Sequence, residues 1–229
     1  MSDGLESVIE QFLLDYPGMS LAPSRSRDLI LKGKFAFQAK SKNGPEIIDS
    51  FEILISVPTR FPRELPKVTE VANRIPRDGN HHVNPDGTLC LGSPLRLLSL
   101  ISGKPDIVCF AEKCIVSFLY AISNKLESGE DFIFKELDHG TLGIIDDYLD
   151  LFKLNTPHQI IETLNLLGLK KRVANKKSCP CQCGSRFGKC ASGARINKFR
   201  TLAARSCFRK HAFELSRDMH RSISNNSVR

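Results

Sequence analysis

The chain has 229 residues, 41% of them hydrophobic and 25% charged, with a formal net charge of +8. That composition is too apolar for a disordered polymer, and no run of about 18 apolar residues is present, so neither an unstructured chain nor a membrane-spanning helix is expected. The charge is uneven: residues 170–229 hold 16 Lys+Arg and 2 Asp+Glu, a net of +14, which leaves residues 1–169 at −6.

Leu5, Val8, Ile9, Phe12 and Leu13 recur at helical spacing and predict a helix over Leu5–Asp15, stopped by Pro17-Gly18. The opening residues are acidic and carry no basic segment ahead of an apolar one, so no secretory signal is expected. Leu29–Ala39 alternates apolar and polar residues and predicts a strand. Asn43-Gly44-Pro45 is a turn, and Ile47–Val57 alternates again as its hairpin partner, with Phe51, Ile53, Ile55 and Val57 on one face. Pro58–Pro66 is a proline-stiffened link into a short strand over Lys67–Ala72, and Asn73–Gly87 reads as a loop.

The loop ends in Asn84-Pro85-Asp86-Gly87, a turn-forming run that delivers Cys90 between Leu89 and Leu91, with His81 and His82 just upstream. Ile107–Leu126 predicts a long helix with Cys109 and Cys114 in its core face. Further helices are expected over Leu142–Leu154 and Pro157–Leu167, the second stopped by Gly168. From Lys170 onward the chain turns basic, with helix-compatible stretches over Ile196–Ile223. His158, His211 and His220 read as surface residues. The order of elements is that of an α+β protein, sheet first and helices afterwards.

Eight cysteines without an export signal favour metal binding or catalysis over disulfides, in a reducing cytoplasm. Four of them, Cys179, Cys181, Cys183 and Cys190, fall within twelve residues. Such a set suits the tetrahedral thiolate coordination of structural zinc, with no open position for catalysis. Arg186 and Lys189 would offset the charge of four thiolates around a divalent cation.

Two resemblances emerge from these residues. Phe61-Pro62-Arg63-Glu64-Leu65-Pro66-Lys67-Val68 resembles the proline element of ubiquitin-conjugating enzymes, with Leu65 replacing the first of the paired prolines. Asp86-Gly87-Thr88-Leu89-Cys90-Leu91 resembles the element that carries their acceptor cysteine. Over residues 5–153 the order of helix, hairpin, cysteine loop and long helix also matches the divergent bacterial form of that fold. The resemblance implies that Cys90 receives the C-terminal acyl group of a ubiquitin-like or target protein from an activating, adenylating enzyme. Cys90 would then pass it to an amine on a protein target, in a setting of conjugation or antiviral defence. The family's His-Pro-Asn is missing: His82 stands where its asparagine would be. His82, Asn84 and His139 are therefore the candidates for the group that shapes the transfer site.

Cys179-Pro180-Cys181, Phe187 and Lys189-Cys190 resemble the SEC-C zinc motif, in which the last ligand directly follows the final cysteine. Here that position is Ala191, and Cys183 is its substitute. The expected division is a conjugating-like domain over 1–168, a basic linker over 169–178, a zinc motif over 179–192 and a basic tail over 193–229. The rival readings are a non-catalytic interaction module of the same fold and a nucleic-acid-binding protein working through its basic tail. No membrane partner is expected.

Overall fold

Alternating Leu, Ile and Phe side chains build the centre of the fold. The computed structural model describes residues 2–24, 26–42, 44–129 and 141–226. Two compact units are present, Met1–Glu136 and Leu137–Arg229.

The first unit is built on a four-stranded antiparallel sheet in the order β1 (Met19–Ala22), β2 (Leu29–Lys40), β3 (Glu46–Val57), β4 (Lys67–Glu70). The β2–β3 hairpin runs in register from Leu29 opposite Val57 to Lys40 opposite Glu46. That register puts the buried rings of Phe35 and Phe51 directly across from each other, an aromatic cross-strand pair. β1, which the periodicity does not reveal, is only four residues long and pairs Met19 with Gly33.

Helix α1 (Ser2–Asp15) buries Ile9 and Phe12. A short helix α2 (Pro94–Leu100) begins at Ser93 with Pro94 in its first turn, where a missing N–H costs nothing. The expected long helix spans Ile107–Ser128 as α3 (Ile107–Phe110), a π-helical turn (Ala111–Ile115) and α4 (Val116–Ser128). By length and composition this helix could cross a membrane, but 72% of its most apolar window is buried inside the protein. It is a core helix. Glu112 and Lys113 interrupt its sequence, and they are exposed. Cys109 and Cys114 are buried on it as expected, and burial pushes the Cys114 thiol up to about 12.

α4 packs on β2 and β3. There Tyr120 donates to the Pro45 carbonyl at 2.8 Å and Ser123 to Asp49 at 2.6 Å. Asp49 also accepts two hydrogen bonds of 2.7 Å from Arg74, whose guanidinium lies 4.2 Å from the centre of the Phe51 ring. Burial works against the Asp49 carboxylate, yet Arg74, Ser123 and the Ser50 N–H together hold its pKa below the ordinary value.

The second unit contains α5 (Thr141–Phe152), α6 (Pro157–Gly168), α7 (Lys171–Ala174), α8 (Ala191–Asn197) and α9 (Arg205–Asn226). α6 opens with a capping box: Thr156 Oγ1 accepts from the Gln159 N–H, and Gln159 Oε1 accepts from the Thr156 N–H. Its buried Ile160, Leu164 and Leu167 belong to the face of a helix that packs on α9, which buries Phe208, Ala212 and Leu215. Gly168 does not end α6 through a left-handed turn. A side chain there would collide with Arg209 of α9, so close helix packing is what requires glycine.

Three expectations change here. The division into 1–168, 169–178, 179–192 and 193–229 does not follow the compact units, because α5 and α6 pack with the helices of the basic segment. Residues 169–178 are no free linker: α7 lies in them, and the carbonyls of Asn175 and Lys177 accept from the N–H groups of Gly188 and Phe187. His211 is half-buried, its Nδ1 3.3 Å from the Tyr148 hydroxyl, and burial lowers its pKa.

The basic residues of this unit are not all available to a partner. Arg200 donates to the carbonyls of Leu166, Leu167 and Leu169, and Arg209 donates to that of Gly168. Together they close the end of α6, where the last carbonyls of a helix have no partner of their own.

Candidate functional site

Cys90 reaches its position through a small hairpin. The turn Asn84–Gly87 is closed by the Gly87 N–H donating to the Asn84 carbonyl at 2.8 Å. Gly87 has φ +82°, a conformation that favours glycine. Val83 bridges Leu89, and the Asn84 N–H donates to the Thr88 carbonyl. The second arm is fastened to the sheet edge: Thr88 bridges Thr69 of β4, and the Leu89 N–H donates to the Val68 carbonyl at 2.7 Å. One residue further on stands Cys90, half-buried, just before the turn into α2. It is neither a core cysteine nor a freely exposed one.

The Cys90 N–H donates to the His82 carbonyl at 2.8 Å, so His82 is its cross-strand partner. His82 is buried at 8% exposure and has φ +52°. Burial pushes the Cys90 thiol above its ordinary pKa, and the Gly92 N–H only partly opposes this. The thiol is held in place by the hairpin and is not acidified.

The other candidates divide. Asn84 is exposed, and its side-chain amide donates to Thr88 Oγ1 at 3.0 Å, so that donor is committed to the turn. Asp86 accepts from both the hydroxyl and the N–H of Thr88, which lowers its pKa and makes it the turn residue expected. His139 and the neighbouring Asp138 lie outside the described residues.

The sequence singles out His81 but not its partner Asp78. His81 Nδ1 donates to Asp78 Oδ1 at 2.8 Å, and the same oxygen accepts from the Asn80 N–H. The His81 hydrogen bond is the main cause of a lowered Asp78 pKa. The signal was the Asp-Gly-Asn turn three residues ahead of the histidine.

In the second unit the four clustered cysteines come together. Their Sγ atoms all lie within 4.8 Å of one another. Cys181 Sγ is 3.2 Å from that of Cys179 and 3.5 Å from that of Cys190, and Cys183 Sγ is 3.4 Å from that of Cys190. The loop that brings them together is tied by a Ser178–Arg186 bridge and by the Cys179 N–H on the Ser185 carbonyl at 3.0 Å. Phe187, fully buried, anchors its far end.

The Gly193 N–H draws the Cys190 thiol down to about 6, aided by the neighbouring thiols, while burial pushes Cys179 well above the ordinary range. Four sulfurs at tetrahedral distances of about 2.3 Å from one ion would stand about 3.8 Å apart, close to the spacing found. The cluster can hold a metal ion, and Cys183 completes the set of four.

Fold and sites thus define an α+β protein with a thiol presented at a sheet edge and a separate cluster of four thiols able to bind a metal. The chain matches no family model, no curated protein and no solved structure.

Proposed function

We propose that the first unit is a ubiquitin-conjugating-like acyl carrier with Cys90 as its acceptor thiol. The observation that carries this reading is the mounting of Cys90: half-buried, on a turn-closed hairpin pinned to β4, with His82 opposite. The proline element ahead of it supports the same reading, since Phe61 packs edge-on against Phe110 at the start of the core helix.

The chemistry has two steps. In loading, a bond forms between Cys90 Sγ and the acyl carbon of a ubiquitin-like or target protein, the bond from that carbon to the activating enzyme breaks, and the thiol proton of Cys90 passes to the departing group of that enzyme. In discharge, an amine attacks the same carbon, the bond to sulfur breaks, and Cys90 regains a proton. The tetrahedral oxyanion of discharge needs a donor. His82, opposite Cys90 on the hairpin, is the group in this loop assigned that role.

We further propose that the ion held by Cys179, Cys181, Cys183 and Cys190 is structural zinc. Thiolate ligands favour it, and four of them leave no position for substrate. When bound it would replace the thiol protons and fix the loop.

The test of the carrier reading is incubation with an activating enzyme, its ubiquitin-like protein and ATP. A thiol-labile adduct is expected on the native chain and none on Cys90→Ala; an undiminished adduct on that variant would remove Cys90 from the mechanism. The second reading, a binding module that transfers nothing, is favoured by the raised Cys90 pKa and by the engaged Asn84 amide. It predicts no adduct on either chain.

A further inference from the structure

The loop that gathers the four thiols also forms one wall of a groove of about 590 Å³. The opposite wall is α6, through Glu162, Asn165 and Leu166. Leu169, Leu166 and Pro180 give it an apolar lining, and Lys177, Ser178 and Ser185 give it polar edges. The volume is that of a site for a few side chains of a ligand.

The lining itself carries Lys177 and Glu162, and the chain segments that run out of it are basic. Leu169 leads directly into Lys170, Lys171 and Arg172, Lys176 precedes Lys177, and Ser185 is followed by Arg186. All of these cations are exposed, and residues 170–189 contain no Asp or Glu. Among the described residues none of them forms an ion pair, in contrast to Arg60, Arg74 and Lys153, which do. A divalent ion on four thiolates would add a formal −2, which does not neutralise them. Glu162 is the one acidic residue in the lining.

We infer that this groove binds an extended acidic peptide segment, with an apolar side chain seated over Leu166, Leu169 and Pro180 and carboxylates met by the surrounding lysines and arginines. Peptide fits better than nucleic acid because no aromatic residue lines the groove, so no base could stack in it. The partner is therefore a protein that presents an acidic, extended segment bearing an apolar side chain. This site is separate from the thiol chemistry and stands whether or not Cys90 carries an acyl group.

The test uses the full chain with its metal and a fluorescein-labelled peptide of alternating glutamate and leucine, followed by anisotropy. Two comparison ligands are the same peptide with serine in place of leucine and a single-stranded RNA of equal charge. Saturable binding of the first peptide is expected, with the serine peptide and the RNA each weaker by about tenfold, the loss of one anchor contact. Asn165→Trp, an exposed substitution on the α6 wall, fills the groove and should weaken the first peptide by a similar factor. So should Lys177→Glu, whereas Lys34→Glu in the first unit should not. Equal binding of the serine peptide or of the RNA, or indifference to Asn165→Trp, would reduce the groove to a diffuse basic surface and overturn the inference.

Discussion

His82 and Cys90 are cross-strand partners, joined by a hydrogen bond of 2.8 Å from the cysteine N–H to the histidine carbonyl. The bond fixes two backbones, not the imidazole and the thiol, yet it means that both residues are set by one hairpin. His82 also holds φ +52°, a conformation in which a side-chain-bearing residue is uncommon. Asparagine is the non-glycine residue best suited to that conformation, and asparagine is the residue the resemblance would place there.

His82→Asn is accordingly expected to fold as well as the native chain and to keep discharge near its native rate. His82→Ala should load normally but discharge about 100-fold more slowly, the usual cost of losing an oxyanion donor. Single-turnover discharge to free lysine measures both. An unchanged rate in His82→Ala would take His82 out of the transfer site.

Asn84→Ala should affect folding, not chemistry. The variant loses the hydrogen bond to Thr88 Oγ1, worth about 0.5–1.5 kcal/mol. Thermal unfolding should show that loss while the loaded fraction stays native. A discharge defect with unaltered stability would instead return Asn84 to the list of donors.

Asp49 makes stability pH-dependent. Its folded-state pKa is below the unfolded one, so its contribution is complete above the unfolded value and is lost as the pH falls through the folded value. At neutral pH, Asp49→Asn should cost about 1–2 kcal/mol through the weakened contacts to Arg74 and Ser123. The gap between native chain and variant should close in acid, below about pH 4. Denaturant titrations at pH 7 and at pH 3 test this; a constant gap would mean that the Asp49 charge contributes nothing.

Metal analysis of the purified chain should give about one zinc ion per molecule. Cys190→Ser should lower both the zinc content and the melting temperature, whereas Cys207→Ser, outside the cluster, should change neither. A strong chelator should destabilise the native chain and leave the melting of Cys190→Ser unaltered. A chain that folds equally well without any metal would end the zinc proposal.

The strands and long helices were legible in the sequence because their core faces repeat cleanly: Phe51, Ile53, Ile55 and Val57 alternate, and Ile107 to Ile122 follow helical spacing. β1 and α2 were not: β1 has four residues and none of the proline lead-in that marks β4, and the seven residues of α2 are too few to display a period. The cysteine cluster could be read because coordination by neighbouring thiols is encoded in local spacing. The Asp78–His81 hydrogen bond was local too, but the histidine drew notice while its partner looked like an ordinary turn residue. Arg200 was out of reach: its carbonyl partners at 166–169 lie more than thirty positions away, so it read as one more surface charge. The helices of the basic segment were legible over Ile196–Ile223, but not the burial of Ile196, Phe208 and Leu215, which are sparse among its charges.

The π-helical turn at Ala111–Ile115 acts as a phase shifter. One added residue rotates everything after it by about 100° relative to an uninterrupted α-helix. The helix thereby addresses two surfaces that no single straight stripe would serve: α3 packs on α1, and α4 packs on β2 and β3. Straightening this turn into regular α-helix at constant length would swing Tyr120 away from Pro45 and Ser123 away from Asp49, although neither residue had been altered. A one-residue deletion inside α4 would therefore mis-set the rest of the helix against the sheet, whereas the π-turn, which already holds one residue more than an α-turn, could lose one and leave the sheet-facing side of α4 where it is.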